Sequence, residues 1–408
     1  MASPVNPFEA SASALGYLYQ LRVALQRCVE LSRGGIEWSV AIEATDDVQA
    51  LIGSHTELTQ LKKRADNVRL TDLSSDLWKT IRVWSEAVTE KRIELAETSF
   101  YLITTAELPE GSAGFLLQPK ASGHRDEHAA EALLVQARQL SESKTLAKAF
   151  DAFDALDEQR RAELVSRIEV IGNAPGMDEI RDDLLGYASL AVERRFAEPF
   201  LQRLEGWFFE RASVQMGSPG SDPVTGAEFD ELFNDLRNQI GEHNLPIDPD
   251  IAALTAAAPA AADAADKVFV HQLRLIDVGA ERIGYAVRDW VRAFAQRSRW
   301  ANENLLRAGE IGAYERRLVE EWQARFAEMR ENLGEEATEE EMKREARLIY
   351  RWVDREARSR IRTGCEEVFV AKGSYQMLAD ELRVGWHPDF TGRLAALLEP
   401  AGAADGRS

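Results

Sequence analysis

Three polar residues near the beginning of the chain have the types and spacing that metal-assisted hydrolysis of a phosphodiester requires. Asp47 follows a short apolar run, and Gln60 and Lys62 come later in a second one. Residues two apart on a strand point to the same face, so Gln60 and Lys62 share a face while Leu61 points away. If the two strands are neighbours, a carboxylate, an amide oxygen and an ammonium group converge on one spot.

This set of side chains suits a divalent cation with oxygen ligands. Mg²⁺ binds hard oxygen atoms and keeps several waters. Asp47 would supply the anionic ligand. The second ligand would be a neutral oxygen, either the side-chain amide oxygen of Gln60 or a neighbouring main-chain carbonyl. The cation, Mg²⁺ or Mn²⁺, would lower the pKa of a bound water and neutralise phosphate charge. Lys62 would orient or deprotonate that water and stabilise the transition state.

The elements that must position these residues follow the order helix, strand, strand, strand, helix, strand. From Leu15 to Val29, through Leu18, Leu21, Leu25 and Cys28, apolar residues recur at steps of three and four. This pattern predicts an amphipathic helix over residues 10–32, which Gly34 and Gly35 end. The other predicted elements are extended segments at 36–43, 46–53, 57–64 and 99–106 and a helix at 72–91.

On this order of elements, Asp47 followed by Gln60-x-Lys62 resembles the PD-(D/E)xK nuclease superfamily. Glutamine in place of the acidic residue is similar to the Mrr-like restriction endonuclease branch. That branch has a Gly-x-x-aromatic-acid signature on its first helix. Gly16 and Tyr19 match this signature, but the acidic position holds glutamine, Gln20.

Longer strings extend this resemblance to a particular kind of nuclease. IEATDDV, TQLKK and LTDLSSDLWKTIRVW resemble the nuclease domain of CD-NTase-associated effectors, which cut double-stranded DNA in bacterial anti-phage defence. The resemblance covers about residues 8–215. It implies that Asp47, Gln60 and Lys62 are catalytic, with Asp47 and Gln60 as metal ligands. It further implies that Glu43 belongs to the catalytic site and that Gln20 lines it.

Any contact with DNA must come from a local basic patch, because the chain is acidic overall. It has 49 basic and 69 acidic residues and a formal charge of −20, which excludes a protein that binds nucleic acid through its bulk charge. Basic residues nevertheless cluster in sequence around the proposed site. The predicted phosphate-contacting residues are Lys63, Arg64, Arg69, Lys79 and Arg82. For any one of them, an ordinary solvated surface is an equally good interpretation.

The C-terminal part of the chain is predicted to be helical throughout. RAFAQRSRW, AYERRLVEEW and VGWHPDF resemble the C-terminal domain of ABC three-component defence systems, over residues 267–398. That domain links variable effectors to an SMC-like ABC ATPase and a small middle protein. With the nuclease-like head, the chain resembles the effector subunit of Lamassu-type systems. The resemblance implies a nuclease that is silent in the complex and is released, or forms a homo-oligomer, when the ATPase senses foreign DNA ends.

We therefore predict an α+β chain with a restriction-endonuclease-like domain followed by an all-α domain. The predicted segments are a nuclease core at 8–122, a helical extension at 123–250, an Ala/Pro linker at 251–266 and the helical C-terminal domain at 267–398. Two cysteines, Cys28 and Cys365, are too few for a disulfide framework. With no signal-like segment and no apolar run as long as a membrane span, we expect a soluble cytoplasmic protein.

Two other functions stay open at this level. Gln20 and Gln60 remove negative charge from the proposed metal site, which favours a decayed nuclease fold that binds DNA or partners without cutting. The third interpretation is a structural subunit whose first domain only packs against an ATPase. In that case Asp47 and Lys62 should lie far apart, so the position of these two side chains discriminates between the interpretations.

Overall fold

The computed structural model describes residues 7–43, 46–64, 67–218, 221–255, 266–334 and 336–394. The chain divides into two compact units between Leu236 and Arg237. The strands are β1 (Trp38–Ile42), β2 (Val48–Ile52), β3 (His55–Lys62), β4 (Thr98–Thr104), β5 (Ile168–Ile171) and β6 (Val224–Thr225). The helices that accompany them are α1 (Pro7–Leu31), α2 (Ser75–Thr89), α3 (Ala113–Leu116), α4 (Glu127–Leu140), α5 (Ala147–Asp154), α6 (Glu158–Ser166), α7 (Met177–Ala191), α8 (Ala197–Gly217) and α9 (Gly226–Gln239).

The N-terminal unit is built on one mixed sheet with the strand order β5-β4-β3-β2-β1-β6. The pairs β1–β2 and β2–β3 are antiparallel, whereas the pairs β3–β4 and β4–β5 are parallel. Parallel neighbours need a long crossover connection, and α2 provides it between β3 and β4. The first six elements therefore appear in the predicted order, and the prediction of an α+β N-terminal region is confirmed.

Apolar periodicity explains how α2 and β4 form the core. The buried face of α2 includes Leu77, Ile81 and Trp84, at the spacing of one helical face. In β4, buried and half-buried residues alternate, which directs Phe100 and Leu102 to the same cluster. The rings of Trp84 and Phe100 lie 5.1 Å apart. This packing fixes α2 against the sheet next to the end of β3.

The buried face of α1 differs from the prediction at its beginning. Leu15 and Leu18 are 46% and 42% exposed, whereas Tyr19 is 1% exposed. The Tyr19 hydroxyl donates a hydrogen bond to the carbonyl of Pro175 at 3.1 Å. A contact made so far along the chain cannot be inferred from the spacing of leucines, and it rotates the buried face toward the tyrosine. Leu21 and Leu25 are buried as expected.

The segment predicted as a helical extension also contributes strands. β5 pairs with β4 in parallel, and β6 pairs with β1 in antiparallel orientation, so both edges of the sheet come from this segment. β5 is only four residues long, too short for its alternation to be distinguished from a helical pattern. Ile168 and Val170 nevertheless fill the same core as Phe100. The expectation of an almost wholly helical segment was therefore incomplete.

The described part of the C-terminal unit is helical, as predicted. Its helices are α10 (Pro249–Ala252), α11 (Val268–Leu275), α12 (Ala280–Asn302), α13 (Glu310–Leu333), α14 (Glu339–Arg355), α15 (Val368–Asp380) and α16 (Phe390–Leu394). α12 and α15 pack so closely that a Cβ atom on Gly373 would overlap the carbonyl oxygen of Asp289. Of the predicted linker, residues 256–265 lie outside the described residues.

The string VGWHPDF lies in the core of this unit. Trp386 is fully buried and His387 is 1% exposed. The carbonyl oxygen of Gly385 accepts a hydrogen bond from Nε1 of Trp322 at 2.8 Å, and the Phe390 ring packs edge-on against the same tryptophan. These contacts give the string a structural role.

Candidate active site

Asp47 and Lys62 lie side by side, where β2 begins and its neighbour β3 ends. β2 and β3 are antiparallel and pair Val48 with Thr59, so Asp47 lies beside Gln60 one step further along. The Nζ atom of Lys62 is 4.0 Å from the Oδ2 atom of Asp47, and the two side chains are 22% and 16% exposed. The two groups are thus close together and partly desolvated. The separation expected of a purely structural subunit is not observed.

Main-chain contacts hold the Asp47 carboxylate in place. Its Oδ2 atom accepts a hydrogen bond from the N–H of Leu61 at 2.7 Å. The carboxylate therefore continues the hydrogen bonding between the strands where the regular ladder stops. The N–H of Glu43 also donates to the main-chain carbonyl of Asp47 at 3.0 Å. Gln60 is 7% exposed, on the strand face that Lys62 shares.

Asp46 is a buried carboxylate that the sequence pattern did not assign to the site. Its Oδ1 atom accepts the N–H of Asp47 at 3.1 Å, and its Oδ2 atom accepts Nε1 of Trp84 at 2.6 Å. Burial raises the pKa of Asp46 to about 7, although the hydrogen bond from Trp84 acts in the opposite direction. Asp46 thereby ties the metal-ligand candidate Asp47 to α2. In the sequence, the only indication that Asp46 belongs to the site is that it directly precedes Asp47 at the start of β2.

Tyr17 is a second neighbour that the sequence pattern did not assign to the site, although it directly follows Gly16 of the first-helix signature. Its pKa is raised, first by the negative charge of Glu43, then by burial and a hydrogen bond to Glu43, and last by the charge of Asp47. Glu43 adopts a left-handed backbone conformation with φ 55°. Tyr17, Glu43 and Gln49 line a cavity of about 520 Å³ beside the strand ends. Glu43 thus lies next to Asp47, and its part in catalysis stays a prediction.

The donor atoms present fit a Mg²⁺ ion that keeps most of its waters. Asp47 offers a carboxylate and Gln60 an amide, while the buried Oε1 atom of Gln20 has no hydrogen-bond partner among the described residues. Among those same residues, no group of three or more His, Cys, Asp or Glu side chains is arranged to hold a metal. The protein would therefore contribute few ligands, which is common for Mg²⁺ and unlike a structural zinc site.

Three of the five basic residues predicted to contact DNA are engaged with carboxylates. The pairs are Arg64 with Asp76 (Nε to Oδ2, 2.6 Å), Arg69 with Glu107 (3.9 Å) and Arg82 with Glu86 (3.7 Å). Lys63 and Lys79 are exposed and form no ion pair with a described residue. The two lysines are thus the members of the set whose charge no described carboxylate offsets.

Comparison with models of known protein families gives a match in the C-terminal region. Residues 269–394 match the family model described as C-terminal domain 7 of the ABC-three component (ABC-3C) systems. The match lies within the predicted C-terminal domain, 267–398. It supports the prediction that the chain is a component of a defence system that includes partner subunits.

The other comparisons add little. No curated protein matches the chain. One similar solved structure is the Acinetobacter baumannii Cap4 SAVED/CARF-domain containing receptor with the cyclic trinucleotide 3'3'3'-cAAA, at 11% identity and a TM-score of 0.34, with 69% of each chain covered. So low a similarity defines neither the fold nor a ligand of this chain. Within the described residues, no helix is both long and apolar enough to span a membrane.

Proposed function

We propose that the N-terminal unit is a metal-dependent endonuclease for double-stranded DNA, with a restriction-endonuclease-like fold. The observation that carries the proposal is the approach of Lys62 Nζ to within 4.0 Å of Asp47 Oδ2 at the ends of two paired strands. A carboxylate with a neighbouring ammonium group is the arrangement that phosphodiester hydrolysis beside a divalent cation uses. The resemblance of the surrounding strings to CD-NTase-associated nucleases supports the same assignment.

Each residue has a distinct part in the proposed reaction. Asp47 and Gln60 would hold Mg²⁺ or Mn²⁺, with Glu43 and Gln20 at the edge of the site. A bound cation would supply a water of lowered pKa and neutralise phosphate charge. Lys62 orients the attacking water and stabilises the negative charge that develops on the phosphate. The N–H of Leu61 keeps the Asp47 carboxylate in place.

The test compares Lys62→Ala with Lys148→Ala in the full chain, purified alone and together with the products of its neighbouring genes. Lys148 is an exposed lysine of α5, so its variant is a matched control. With plasmid DNA and Mg²⁺, the wild-type and control proteins should cleave when they are purified alone, Lys62→Ala should not, and EDTA should stop cleavage. A well-folded Lys62→Ala protein that degrades plasmid as fast as wild type would refute the assignment.

The proposed regulation depends on the C-terminal unit. We place the chain as the effector of a Lamassu-type system, held by an SMC-like ABC ATPase and a small middle subunit and active as a free chain or homo-oligomer. The support is the family match at residues 269–394. Co-purification of the ATPase with the full chain tests this placement. Failure to recover an ATPase would remove the regulatory proposal and leave the nuclease proposal intact.

A non-catalytic adaptor is the second candidate. The observation that favours it is the neutral character of Gln60 and Gln20, which leaves Asp47 as the main charged ligand. In that case neither the chain nor its complex would cleave DNA with Mg²⁺ or Mn²⁺, while binding to DNA or to the partner subunits would persist.

A further inference from the structure

We propose that an arginine-lined cavity in the C-terminal unit binds a ligand with clustered phosphate groups, such as a nucleoside triphosphate. The cavity has a volume of about 750 Å³ and is lined by the first turns of α13, the chain between α14 and α15, and residues 242–243. Five arginines and two glutamates line it. The site is thus positively charged in a chain whose formal charge is −20.

The sequence RSRIRTG explains why the arginines gather there. Between α14 and α15 the chain is not helical, and three of its arginines, Arg358, Arg360 and Arg362, fall within five residues. The carbonyl of Ser359 accepts a hydrogen bond from the hydroxyl of Tyr314 in α13 at 3.1 Å, which holds this segment against the helix. All three arginines line the cavity.

One of the five arginines, Arg362, holds the walls of the cavity together and is not available to a ligand. Arg362 is 6% exposed. It donates to both carboxylate oxygens of Glu310 at 2.8 Å and to the carbonyls of Gly241, Asn244 and Leu305. A buried guanidinium with this many acceptors holds the loops together, and its charge is neutralised by Glu310.

The other four arginines keep charge that a ligand can use. Within the part of the chain that the structure describes, Arg317 donates hydrogen bonds only to main-chain carbonyls, of Arg360 at 3.1 Å and Ile361 at 3.3 Å. In the same part, the one hydrogen bond of the Arg358 side chain is a 3.5 Å contact with the carbonyl of Ala357. Arg307 and Arg360 form ion pairs with Glu242 and Glu366 in which all four side chains are at least 43% exposed. Exposed pairs of this kind contribute little, so a phosphate can replace the glutamate.

The shape and charge of the cavity favour phosphates over carboxylates and over a nucleic-acid duplex. Its volume is that of a small-molecule site, whereas a duplex needs an extended basic surface. A triphosphate brings several negative charges and many acceptor oxygens within a short length, which matches closely placed guanidinium groups. An acidic peptide would have to bring several separate carboxylates into the same concave space.

The test measures binding to the full chain by calorimetry in low salt with EDTA, so that the proposed metal site plays no part. The probes are ATP, GTP and inorganic tripolyphosphate, with a polyglutamate peptide for comparison. Arg358→Glu should weaken phosphate binding by at least about tenfold. Arg330→Glu should change it by less than about twofold, because this exposed residue of α13 lies about 30 Å along the helix from Glu310.

The probes also separate the sources of the phosphate. Equal affinity for ATP and tripolyphosphate would mean that the cavity recognises phosphates alone, and tighter binding of ATP would mean that the nucleoside contributes. No binding of any phosphate probe at about 1 mM, equal loss in Arg358→Glu and Arg330→Glu, or binding of polyglutamate alone would overturn the proposal. Because the cavity belongs to the C-terminal unit, the outcome is independent of the nuclease assignment.

Discussion

The Oδ2 atom of Asp47 accepts a hydrogen bond from the N–H of Leu61 at 2.7 Å. Leu61 separates Gln60 from Lys62, so the carboxylate is fixed to the strand that carries the other two proposed catalytic residues. The same oxygen atom lies 4.0 Å from Lys62 Nζ. Asp47 therefore has a structural role in joining the strands and a proposed chemical role as a metal ligand. Substitutions can separate the two roles.

Asp47→Asn and Asp47→Ala should differ in stability but not in activity. The asparagine oxygen can still accept the Leu61 N–H, so its free energy of unfolding should stay within about 1 kcal/mol of wild type, whereas the alanine variant should lose about 1–3 kcal/mol. Both variants should lose plasmid cleavage, since neither supplies a carboxylate. Denaturant unfolding and the Mg²⁺ cleavage assay check this. Full cleavage by Asp47→Asn would exclude Asp47 as the metal ligand.

Asp46 and Trp84 should be energetically coupled. Their hydrogen bond is 2.6 Å long and buried, and loss of Asp46 leaves the indole N–H without its acceptor. Asp46→Ala should therefore cost more in wild type than in Trp84→Phe, with a coupling energy of about 1–2 kcal/mol. Equilibrium unfolding of the wild type, both single variants and the double variant measures it. Additive effects would show that the contact does not stabilise the unit.

The exposed lysines should contribute more to DNA binding than the paired arginines. Lys63 and Lys79 form no ion pair with described residues, while Arg69 lies 3.9 Å from Glu107. Lys63→Gln and Lys79→Gln should each reduce the slope of log affinity against log salt concentration by about one, with little dependence on DNA sequence. Arg69→Gln should reduce it less. The slopes are measured from the binding of each variant to a fluorescent DNA duplex over a series of salt concentrations. Unchanged slopes in both lysine variants would show that DNA does not contact this surface.

His387 should make the stability of the C-terminal unit depend on pH. Its Nδ1 atom accepts the N–H of Asp389 at 3.1 Å, and burial, followed by the charge of Arg393, lowers its pKa. A lowered pKa in the folded state means that the stabilisation is present above the unfolded pKa, about 6.5. It is lost as the pH falls toward the folded pKa, because protonation then favours the unfolded chain.

Replacement of His387 tests this pH dependence. His387→Gln keeps a polar side chain of similar size but does not titrate. Between about pH 7.5 and about pH 5.5, the variant should lose less unfolding free energy than wild type. His128→Gln, at an exposed histidine of α4, is the matched control. Equal losses in wild type and His387→Gln would show that the buried imidazole does not govern the pH response.

Local pattern determined much of the fold. The apolar run in 99–106, bounded by polar residues, and the helical spacing in 72–91 predicted β4 and α2, because both signals are local. Alternation also predicted that Gln60 and Lys62 share a strand face. The helical C-terminal region was predicted in the same way, and its resemblance to ABC three-component domains agrees with the family match at 269–394.

Contacts between distant parts of the chain decided the rest. The buried side of α1 depends on the hydrogen bond from Tyr19 to Pro175, and β5 becomes a strand because it pairs with β4. In the C-terminal unit, Arg297 and Arg362 are buried, with 7% and 6% of their surface exposed. Burial of an arginine requires acceptors from several segments, which no local pattern reveals.

The amino-acid sequence by itself thus determined which residues could do chemistry and which elements carry them, because residue type and period are local properties. Only the tertiary structure decided that Asp47 and Lys62 meet, that Asp46 is buried against Trp84, and that the arginines of RSRIRTG line one cavity. Each of these facts depends on the pairing of strands or the packing of helices that lie far apart in the chain, and distances across such contacts are set by the fold as a whole.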